Sequence, residues 1–274
     1  MYTGIVTVPK TALYETPAKE TVSDELLSGW LVTVKDECGR FLNIMTDYGY
    51  CGWVDRNTVC PVTSGFLKHR QQVLATALLC RKTTDILKTP KVQSSVLSTL
   101  FLGSRVMLLG SAENGWQQIK SADGICGYVP DIALLSPPFP APGRQDEWEI
   151  RSAILNYAML FLGTQYRWGG KTAMGMDCSG LTFMSYYMCG IIIYRDAVIK
   201  KGFPVREIPF SKIKPADLLY FPGHVALYLG NGKYIHCTGN LRSFSCVINS
   251  LCPQDNDYRK DLAENLLAAG SVFS

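Results

Sequence analysis

Several features are absent from this 274-residue chain, and each absence excludes a class of protein. No apolar run reaches the roughly 18 residues of a membrane-spanning helix, so no membrane partner is expected. The N-terminus lacks the charged and apolar regions of a signal peptide, which predicts a cytoplasmic protein, or a secreted one if the chain has been trimmed. Neither charge dominates, because 27 basic residues face 23 acidic ones for a net charge of +4. Nucleic-acid binding is therefore not expected.

Histidine is scarce, with three residues, whereas cysteine is abundant, with ten. No two cysteines form a Cys-x-x-Cys pair, so a zinc knuckle is not predicted. Because a signal peptide is missing, the cysteines are predicted to be mostly free, buried thiols rather than disulfides. No cofactor or metal is expected, and the chain is expected to be a monomer.

Two N-terminal segments repeat each other. Pro17 and Pro90 lie 73 residues apart in similar contexts, and a Cys-Gly-aromatic-Val run recurs with an offset of 75. A nearly constant offset indicates duplication. Each copy has short β-rich runs between turn residues, which predicts a small all-β barrel, and the order of the runs resembles bacterial SH3-like domains. We therefore predict SH3-like barrels at residues 1–65 and 66–136.

The rest of the chain has a different pattern. Closely spaced prolines in residues 137–148 exclude a helix or a central strand and predict a stiff linker. Residues 149–274 have helical patterns followed by strand patterns, which predicts an α+β domain with an antiparallel sheet. Helices are predicted at 150–162, 178–188 and 258–269, and strands at 217–221, 225–229 and 233–238. The fold class is thus multidomain, with two barrels before an α+β domain.

The first sign of chemistry is the sequence Asp-Cys-Ser-Gly at residues 177–180. Its aspartate is a good helix N-cap, which places Cys178 in the first turn, where the positive helix end favours a thiolate nucleophile. The same amide groups could bind an oxyanion. His224 and His236 lie twelve residues apart, on either side of a predicted hairpin. A single histidine more often belongs to a protein core, and His69 is expected to lie on the surface. The combination of Cys178 with His224 and His236 nevertheless predicts a cysteine peptidase.

The hairpin register decides whether the two histidines can meet. A two-residue Asn-Gly turn would pair Gly230 with Lys233 and put the histidines on opposite faces of the sheet. A three-residue loop would pair Leu229 with Lys233 and set His236 opposite Ala226, which brings both rings to one face. Catalysis therefore selects the three-residue loop.

In that register His224 would take the proton from Cys178, and His236 would hydrogen-bond the far nitrogen of His224 and set its tautomer. Zinc binding is the other interpretation of one cysteine and two histidines. The neighbouring Cys237 points to the opposite face, however, and no fourth ligand is evident.

Four stretches, 162–170, 177–181, 214–218 and 224–230, resemble the NlpC/p60 family of bacterial cell-wall cysteine peptidases. The resemblance covers roughly residues 147–274. With two SH3-like domains ahead, the chain is similar to the subgroup of γ-D-glutamyl-L-diamino acid endopeptidases. This resemblance implies a papain-like fold and hydrolysis of the γ-D-Glu–diamino acid bond in wall peptides with a free N-terminal L-Ala. The product would be L-Ala-γ-D-Glu, released in cell-wall turnover or recycling.

The resemblance also implies residue roles. The implied catalytic residues are Cys178 as nucleophile, His224 as base, His236 as orienting residue and Tyr166 beside the thiol, near the oxyanion. The implied substrate contacts are Tyr50, Glu20, Asp177, Ser179, Asp196, Ala197 and Trp168. Glu20 lies one position from the place where the subgroup carries its acid, and Glu25 or Glu15 are alternatives. Asp217 is expected to be structural.

Two other functions stay open at this point. The chain could be a non-catalytic protein that binds the cell wall through its barrels, or an amidase or acyltransferase on the same fold, because a fold alone does not fix a reaction. The complete set of Cys178, His224 and His236 argues against an inert domain. A trimmed chain would be secreted or associated with the cell wall. The choice between lysine and diaminopimelate as the diamino acid is not predicted.

Overall fold

The computed structural model describes residues 1–18, 20–63, 65, 76–135 and 146–273. The chain divides into two compact units, Met1–Phe139 and Pro140–Ser274. His69 and most of the predicted proline-rich linker lie outside the described residues. The domain boundaries given above stay predictions.

Seven short strands form the first sheet. They are β1 (Tyr2–Val6), β2 (Lys10–Tyr14), β3 (Val22–Leu27), β4 (Leu31–Cys38), β5 (Phe41–Thr46), β6 (Cys51–Asp55) and β7 (Val59–Pro61). They pair antiparallel in the order β3-β2-β6-β5-β4-β1-β7. Buried residues alternate with half-buried or exposed ones along β2, β5 and β6, because successive side chains of a strand point to opposite faces.

The second sheet repeats this topology. Its strands are β8 (Thr76–Leu79), β9 (Thr83–Leu87), β10 (Val96–Phe101), β11 (Arg105–Glu113), β12 (Trp116–Lys120), β13 (Cys126–Pro130) and β14 (Leu134–Leu135). Their order, β10-β9-β13-β12-β11-β8-β14, is the first order with every strand replaced by the one seven places later. The predicted duplication into two small barrels is therefore confirmed, and a core of seven fully buried apolar side chains fills the second copy.

The repeated Cys-Gly-aromatic-Val run has a steric cause. A Cβ atom on Gly52 would lie 2.7 Å from the carbonyl oxygen of Tyr14, and one on Gly127 would lie 2.6 Å from that of Leu87. Only glycine lets β6 and β13 approach β2 and β9 so closely. The two barrels also contact each other, because the Trp30 indole N–H donates to the Gly103 carbonyl at 2.9 Å.

The second unit combines helices with an antiparallel sheet, as predicted. Its helices are α1 (Glu147–Met159), α2 (Cys178–Tyr187) and α3 (Lys260–Ala263). Six strands form one sheet in the order β17-β22-β18-β19-β20-β21, and a small hairpin pairs β15 with β16. The strands are β15 (Lys171–Thr172), β16 (Gly175–Met176), β17 (Arg206–Ile208), β18 (Leu218–Phe221), β19 (His224–Gly230), β20 (Lys233–Cys237), β21 (Cys246–Ser250) and β22 (Ala268–Ser271). All ten residues of α2 are buried.

The helix predicted at 258–269 is wrong. The helix α3 is a single turn, and the small residues after it form β22, which lies between β17 and β18 in the sheet. A Cβ atom on Gly270 would lie 2.7 Å from Val205 and 3.0 Å from Tyr220, so the strand fits there because its side chains are small. Burial between two strands outweighs the helical preference of the alanines.

The predicted burial of the cysteines is also wrong for most of them. All ten carry free thiols, but only Cys178, Cys237 and Cys246 are buried, and four on the barrel strands are exposed.

Among the described residues, no helix has the length and apolar character needed to cross a membrane.

Asp217 ties α1 to the sheet. Its carboxylate accepts hydrogen bonds from the Arg151 guanidinium at 2.9 Å, the Ser271 hydroxyl at 2.6 Å and the Lys214 backbone N–H at 2.8 Å. The side chains of Asp217 and Arg151 are 1% and 5% exposed. A buried charge needs such a set of partners, which explains the structural role expected for Asp217.

Asp217→Ala is expected to destabilise the second unit by about 3–5 kcal/mol, because the Arg151 charge stays buried without this partner. The control is Glu147→Gln, which removes the other carboxylate on Arg151, one that is 38% exposed. It should cost less than about 1 kcal/mol. Hydrogen exchange of β18 amides along a urea series measures both changes, and equal losses would contradict this account.

Candidate active site

The sequence Asp-Cys-Ser-Gly fixes the start of α2. The backbone of Asp177 is extended, and its carboxylate accepts the Gly180 N–H at 2.5 Å, which is the predicted N-cap. A Cβ atom on Gly180 would lie 2.1 Å from the carbonyl oxygen of Gly170, so glycine is required where these two chain segments meet. The side-chain cap of Asp177 and the close approach of Gly180 to Gly170 together hold Cys178 in the first turn.

A buried arginine closes over this turn. The two terminal nitrogens of Arg195 donate to the two carboxylate oxygens of Asp177 at 3.1 and 3.0 Å, and one of them also donates to the Ser179 hydroxyl at 2.7 Å. Arg195 is 1% exposed. Such a two-pronged contact is among the strongest polar interactions in proteins. The charge of Asp177 is thus compensated from inside the protein.

The hairpin has the predicted pairing but a different turn. Leu227 pairs with Ile235 and Tyr228 with Tyr234, the register that the three-residue loop was chosen to produce. At the turn, however, Gly230 pairs with Lys233, so the loop is the two-residue Asn-Gly type, with positive φ at both residues. A bulge between Tyr228 and Gly230 absorbs the difference of one residue.

The bulge brings both histidines to one face of the sheet. Their ring centroids lie 4.9 Å apart and their planes are nearly perpendicular. His224 Nε2 and His236 Nδ1 are 2.7 Å apart, and His236 Nε2 lies 2.9 Å from the side-chain oxygen of Asn249 on β21. The side-chain nitrogen of Asn249 donates in turn to the Asp257 carbonyl at 2.9 Å. Three side chains therefore form a continuous series of hydrogen bonds.

The sulfur of Cys178 lies at the start of β19. The backbone N–H groups of Val225, the residue after His224, and of Ser179 lie close enough to this sulfur to favour its thiolate form. Burial is the main influence on the thiol, and together with the nearby Asp177 carboxylate it raises the pKa of Cys178 to about 11. Desolvation therefore opposes the thiolate that the helix end favours, and it outweighs the amide groups there.

Burial also keeps both imidazoles neutral. It is the largest cause of the low pKa of His224, about 3, to which neighbouring His236 contributes. Burial likewise lowers the pKa of His236 to about 4, against the opposing effect of the hydrogen bond to Asn249. Thiol and base thus rest as an uncharged pair, and a proton has to move before the sulfur can attack.

Tyr166 lies near enough to the same sulfur to interact with it electrostatically. Its ring packs against Phe244 at 5.9 Å between centroids. Burial, reinforced by the nearby Cys178 and Asp177, raises the pKa of the Tyr166 hydroxyl above its ordinary value. The hydroxyl is therefore protonated at neutral pH and can donate a hydrogen bond.

The structure brings some of the predicted substrate residues together. Asp177 and Ser179 flank the nucleophile, and the half-buried Asp196 and Ala197 follow Arg195 directly. Trp168, at 65% exposed, lies two residues after Tyr166. The remaining two, Tyr50 and Glu20, belong to the first unit, and their part in a site stays a prediction.

Two residues of this region were missed in the sequence. Asn249 and Arg195 reach the site from segments 13 and 18 residues away from their partners His236 and Asp177. Neither lies in a motif that points to its contact. In the described residues, no group of three or more histidine, cysteine, aspartate or glutamate side chains is placed to hold a metal ion.

Comparison with known proteins gives one consistent family. The family model described as NlpC/P60 family matches residues 163–255. The chain is 37% identical over 257 residues to dipeptidyl-peptidase 6 of Lysinibacillus sphaericus, covering 91% of this chain and 92% of that protein. It is 26% identical over 261 residues to γ-D-glutamyl-L-lysine dipeptidyl-peptidase of Bacillus cereus, covering 86% and 72%.

A solved structure has the same fold along the whole chain. The crystal structure of an NlpC/P60 family protein from Bacillus cereus ATCC 10987 superposes with a TM-score of 0.77. The superposition covers 97% of this chain and 98% of the Bacillus cereus chain, and the two sequences are 20% identical.

The lowered histidine pKa values predict a loss of stability in acid. Between pH 7 and pH 5 the unfolded chain binds a proton at each histidine, whose ordinary pKa is 6.5, whereas folded His224 and His236 stay neutral down to about 3 and about 4. Because the unfolded state binds more protons, the free energy of unfolding decreases as the pH is lowered from 7 to 5, by about 2 kcal/mol per histidine.

His236→Asn removes one of these two groups and should remove about half of the difference between pH 7 and pH 5. Urea unfolding followed by hydrogen exchange in β19 and β20 measures this difference in both proteins. The same pH dependence in the variant and the parent would show that the histidines do not cause it.

Proposed function

Because the chain belongs to the NlpC/P60 family, we propose that it is a cysteine peptidase that cleaves the γ-D-Glu–diamino acid bond of peptidoglycan-derived peptides. Its product would be L-Ala-γ-D-Glu. The observation that carries the proposal is that the Cys178 sulfur lies beside Val225, the residue after His224, and that His224 in turn contacts His236 at 2.7 Å. The name of the 37%-identical relative, dipeptidyl-peptidase 6, agrees with this reaction.

The first chemical step is a proton transfer. His224 Nε2 is engaged by His236, so Nδ1 is the nitrogen that takes the proton from Cys178. The sulfur then forms a bond to the carbonyl carbon of the γ-D-Glu side chain, and the electron pair of the C=O bond moves to its oxygen. Because thiol and imidazole rest uncharged, the charged pair forms only in the course of the reaction.

The remaining steps restore the enzyme. The imidazolium of His224 gives its proton to the leaving amine of the diamino acid as the C–N bond breaks, which leaves a thioester on Cys178. A water molecule, deprotonated by His224, attacks this thioester, and the sulfur leaves with the proton returned from His224. His236 supports the positive charge on His224 in both halves of the reaction by accepting its Nε2–H.

The negative oxygen of the tetrahedral intermediate needs donors near the sulfur. The first turn of α2 offers the backbone N–H of Cys178 there, because the first amides of a helix have no partner within it and those of Ser179 and Gly180 already contact the sulfur and the Asp177 carboxylate. Tyr166 is the second candidate, since its hydroxyl stays protonated and lies near the same sulfur. Both groups are fixed before the substrate arrives, which is the condition for effective charge stabilisation.

The positive charge of Arg195 limits how the site can recognise the N-terminal ammonium of the substrate. Asp177 carries the negative charge closest to the nucleophile, but the guanidinium already compensates it. An ammonium would therefore gain less from Asp177 than from an isolated carboxylate. This favours a further acidic or hydroxyl partner for the ammonium.

Cys178→Ala is expected to abolish cleavage of L-Ala-γ-D-Glu-diaminopimelate, because no other group replaces the sulfur as nucleophile. Liquid chromatography of the products measures turnover, and calorimetry measures retained binding of the peptide. Cys252→Ala, a cysteine change in the same unit but away from α2, is the control and should leave turnover unchanged. Turnover by Cys178→Ala would contradict the mechanism, and wall binding without turnover by the parent would favour the binding function.

Acetylation of the peptide's N-terminal amine is expected to reduce kcat/KM by at least about 100-fold. The acetyl group removes a charge-assisted contact and leaves its buried acceptors without a partner. Parallel assays of the free and the acetylated peptide measure the ratio. Equal rates on both peptides would remove the free amine from the proposed specificity and leave the peptidase assignment standing.

A further inference from the structure

We propose that Asn249 is a positioning residue that selects the proton-bearing nitrogens of both histidines. The inference rests on the proposed function, because the tautomer matters for a base that faces a thiol. It is carried by one geometric fact, the direction in which the Asn249 amide points. That direction determines which nitrogen carries the proton in each of the next two rings.

The amide direction is set by a backbone carbonyl. The Asp257 carbonyl oxygen only accepts hydrogen bonds, so the Asn249 atom 2.9 Å from it has to be the NH₂ group. The Asn249 oxygen consequently points to His236 Nε2, which lies 2.9 Å away. An oxygen acceptor requires a donor opposite, so His236 carries its proton on Nε2.

This choice is passed to the catalytic base. With its proton on Nε2, a neutral His236 has a lone pair on Nδ1, and the contact of 2.7 Å to His224 needs a donor on the other side. His224 therefore carries its proton on Nε2, and its Nδ1 keeps the lone pair that takes the thiol proton. With the opposite tautomers the series would end in an N–H at Nδ1 of His224, which cannot act as a base.

The carbonyl at the start of this series is firmly held. The Ser250 backbone N–H donates to the same Asp257 oxygen at 3.1 Å, and the Arg259 N–H donates to the Ser250 carbonyl at 3.1 Å. The Lys233 ammonium bonds the Asp257 carboxylate at 2.5 Å and the Asp255 carboxylate at 2.9 Å. The segment after β21 is thereby fixed to the sheet, and the carbonyl cannot turn away.

Burial leaves His236 little alternative. The residue is 0% exposed, and half-buried Asn249 is the side chain that contacts its Nε2 from the side of β21. A buried polar group without its partner is costly, and a flipped tautomer would oppose two donors or two acceptors in the series. The polar side chain on β21 is thus required by the ring, and its amide has one orientation that satisfies every contact.

Nitrogen NMR on protein labelled with ¹⁵N-histidine tests the proposal, because the chain has only three histidines to assign. In the parent protein at neutral pH, both His224 and His236 should show the shifts of the Nε2–H tautomer. In Asn249→Leu, which fills the same space without an acceptor, His236 should show a mixture of tautomers. The kcat/KM of the Asn249→Leu variant should fall by about 10- to 100-fold, with KM little changed. This is the size of effect seen when a supporting partner of a functional histidine is removed.

Asn256→Leu is the matched control, because it makes the same substitution at an exposed residue of the adjoining segment. It should keep the parent's tautomers and rate. Asn249→Asp is the rescue variant, since it keeps an oxygen toward His236, although it adds a negative charge and replaces the donor to the Asp257 carbonyl with a second oxygen. It should retain the Nε2–H signature, and it serves as the test if Asn249→Leu does not fold.

Nδ1–H signals in the parent, or parent-like tautomers in Asn249→Leu, would overturn the proposal. So would a rate in Asn249→Leu equal to that of Asn256→Leu, or mixed tautomers in Asn249→Asp. If the parent protein cleaves none of the peptides, the proposed function fails, and the NMR signals still decide the role of Asn249.

Discussion

The hydrogen bond between two buried imidazoles is the interaction on which the rest of the site depends. The rings can meet at 2.7 Å only if the strands that carry them pair in one register, because a shift of one residue moves a side chain to the opposite face of the sheet. The Asn-Gly turn alone would give the wrong register. The bulge next to it, at Gly230 with φ of +104°, supplies the missing residue. A conformation open mainly to glycine thus secures the contact of two distant rings.

Burial then decides the charge of the site. A hydrated cysteine at a helix N-terminus would lose its proton readily, but here the sulfur lies under β19 with its pKa at about 11. The same burial holds His224 neutral, so the enzyme starts from an uncharged pair and forms charge only as the substrate reacts. Hydrogen-bond donors in fixed positions lower the barrier most when the site starts uncharged, because they stabilise charge that appears only in the transition state.

Sequence patterns were reliable where one local rule governs the outcome. The N-cap of α2 and the duplicated barrels follow from capping and from repetition, whereas strand periodicity alone left two registers open for His224 and His236. Sequence patterns failed where tertiary packing competes with local preference. The segment before Ser271 became a strand because only small side chains fit between β17 and β18. The thiolate was expected from the helix end, and burial opposes it. Asn249 could not be inferred, because its contact arises from a strand pairing that no pattern specified.

The contacts of Asp177 show that the sequence Asp-Cys-Ser-Gly has a structural role as well as a chemical one. One carboxylate caps α2, accepts two nitrogens of Arg195 and lies next to the sulfur whose pKa it raises. That last effect opposes thiolate formation, so it would be harmful if the charge stood alone. Arg195 acts on the sulfur in the opposite sense and offsets part of it. The arginine is therefore needed for the nucleophile as well as for the cap, and the four residues of the motif work only with a fifth from a separate segment of the chain.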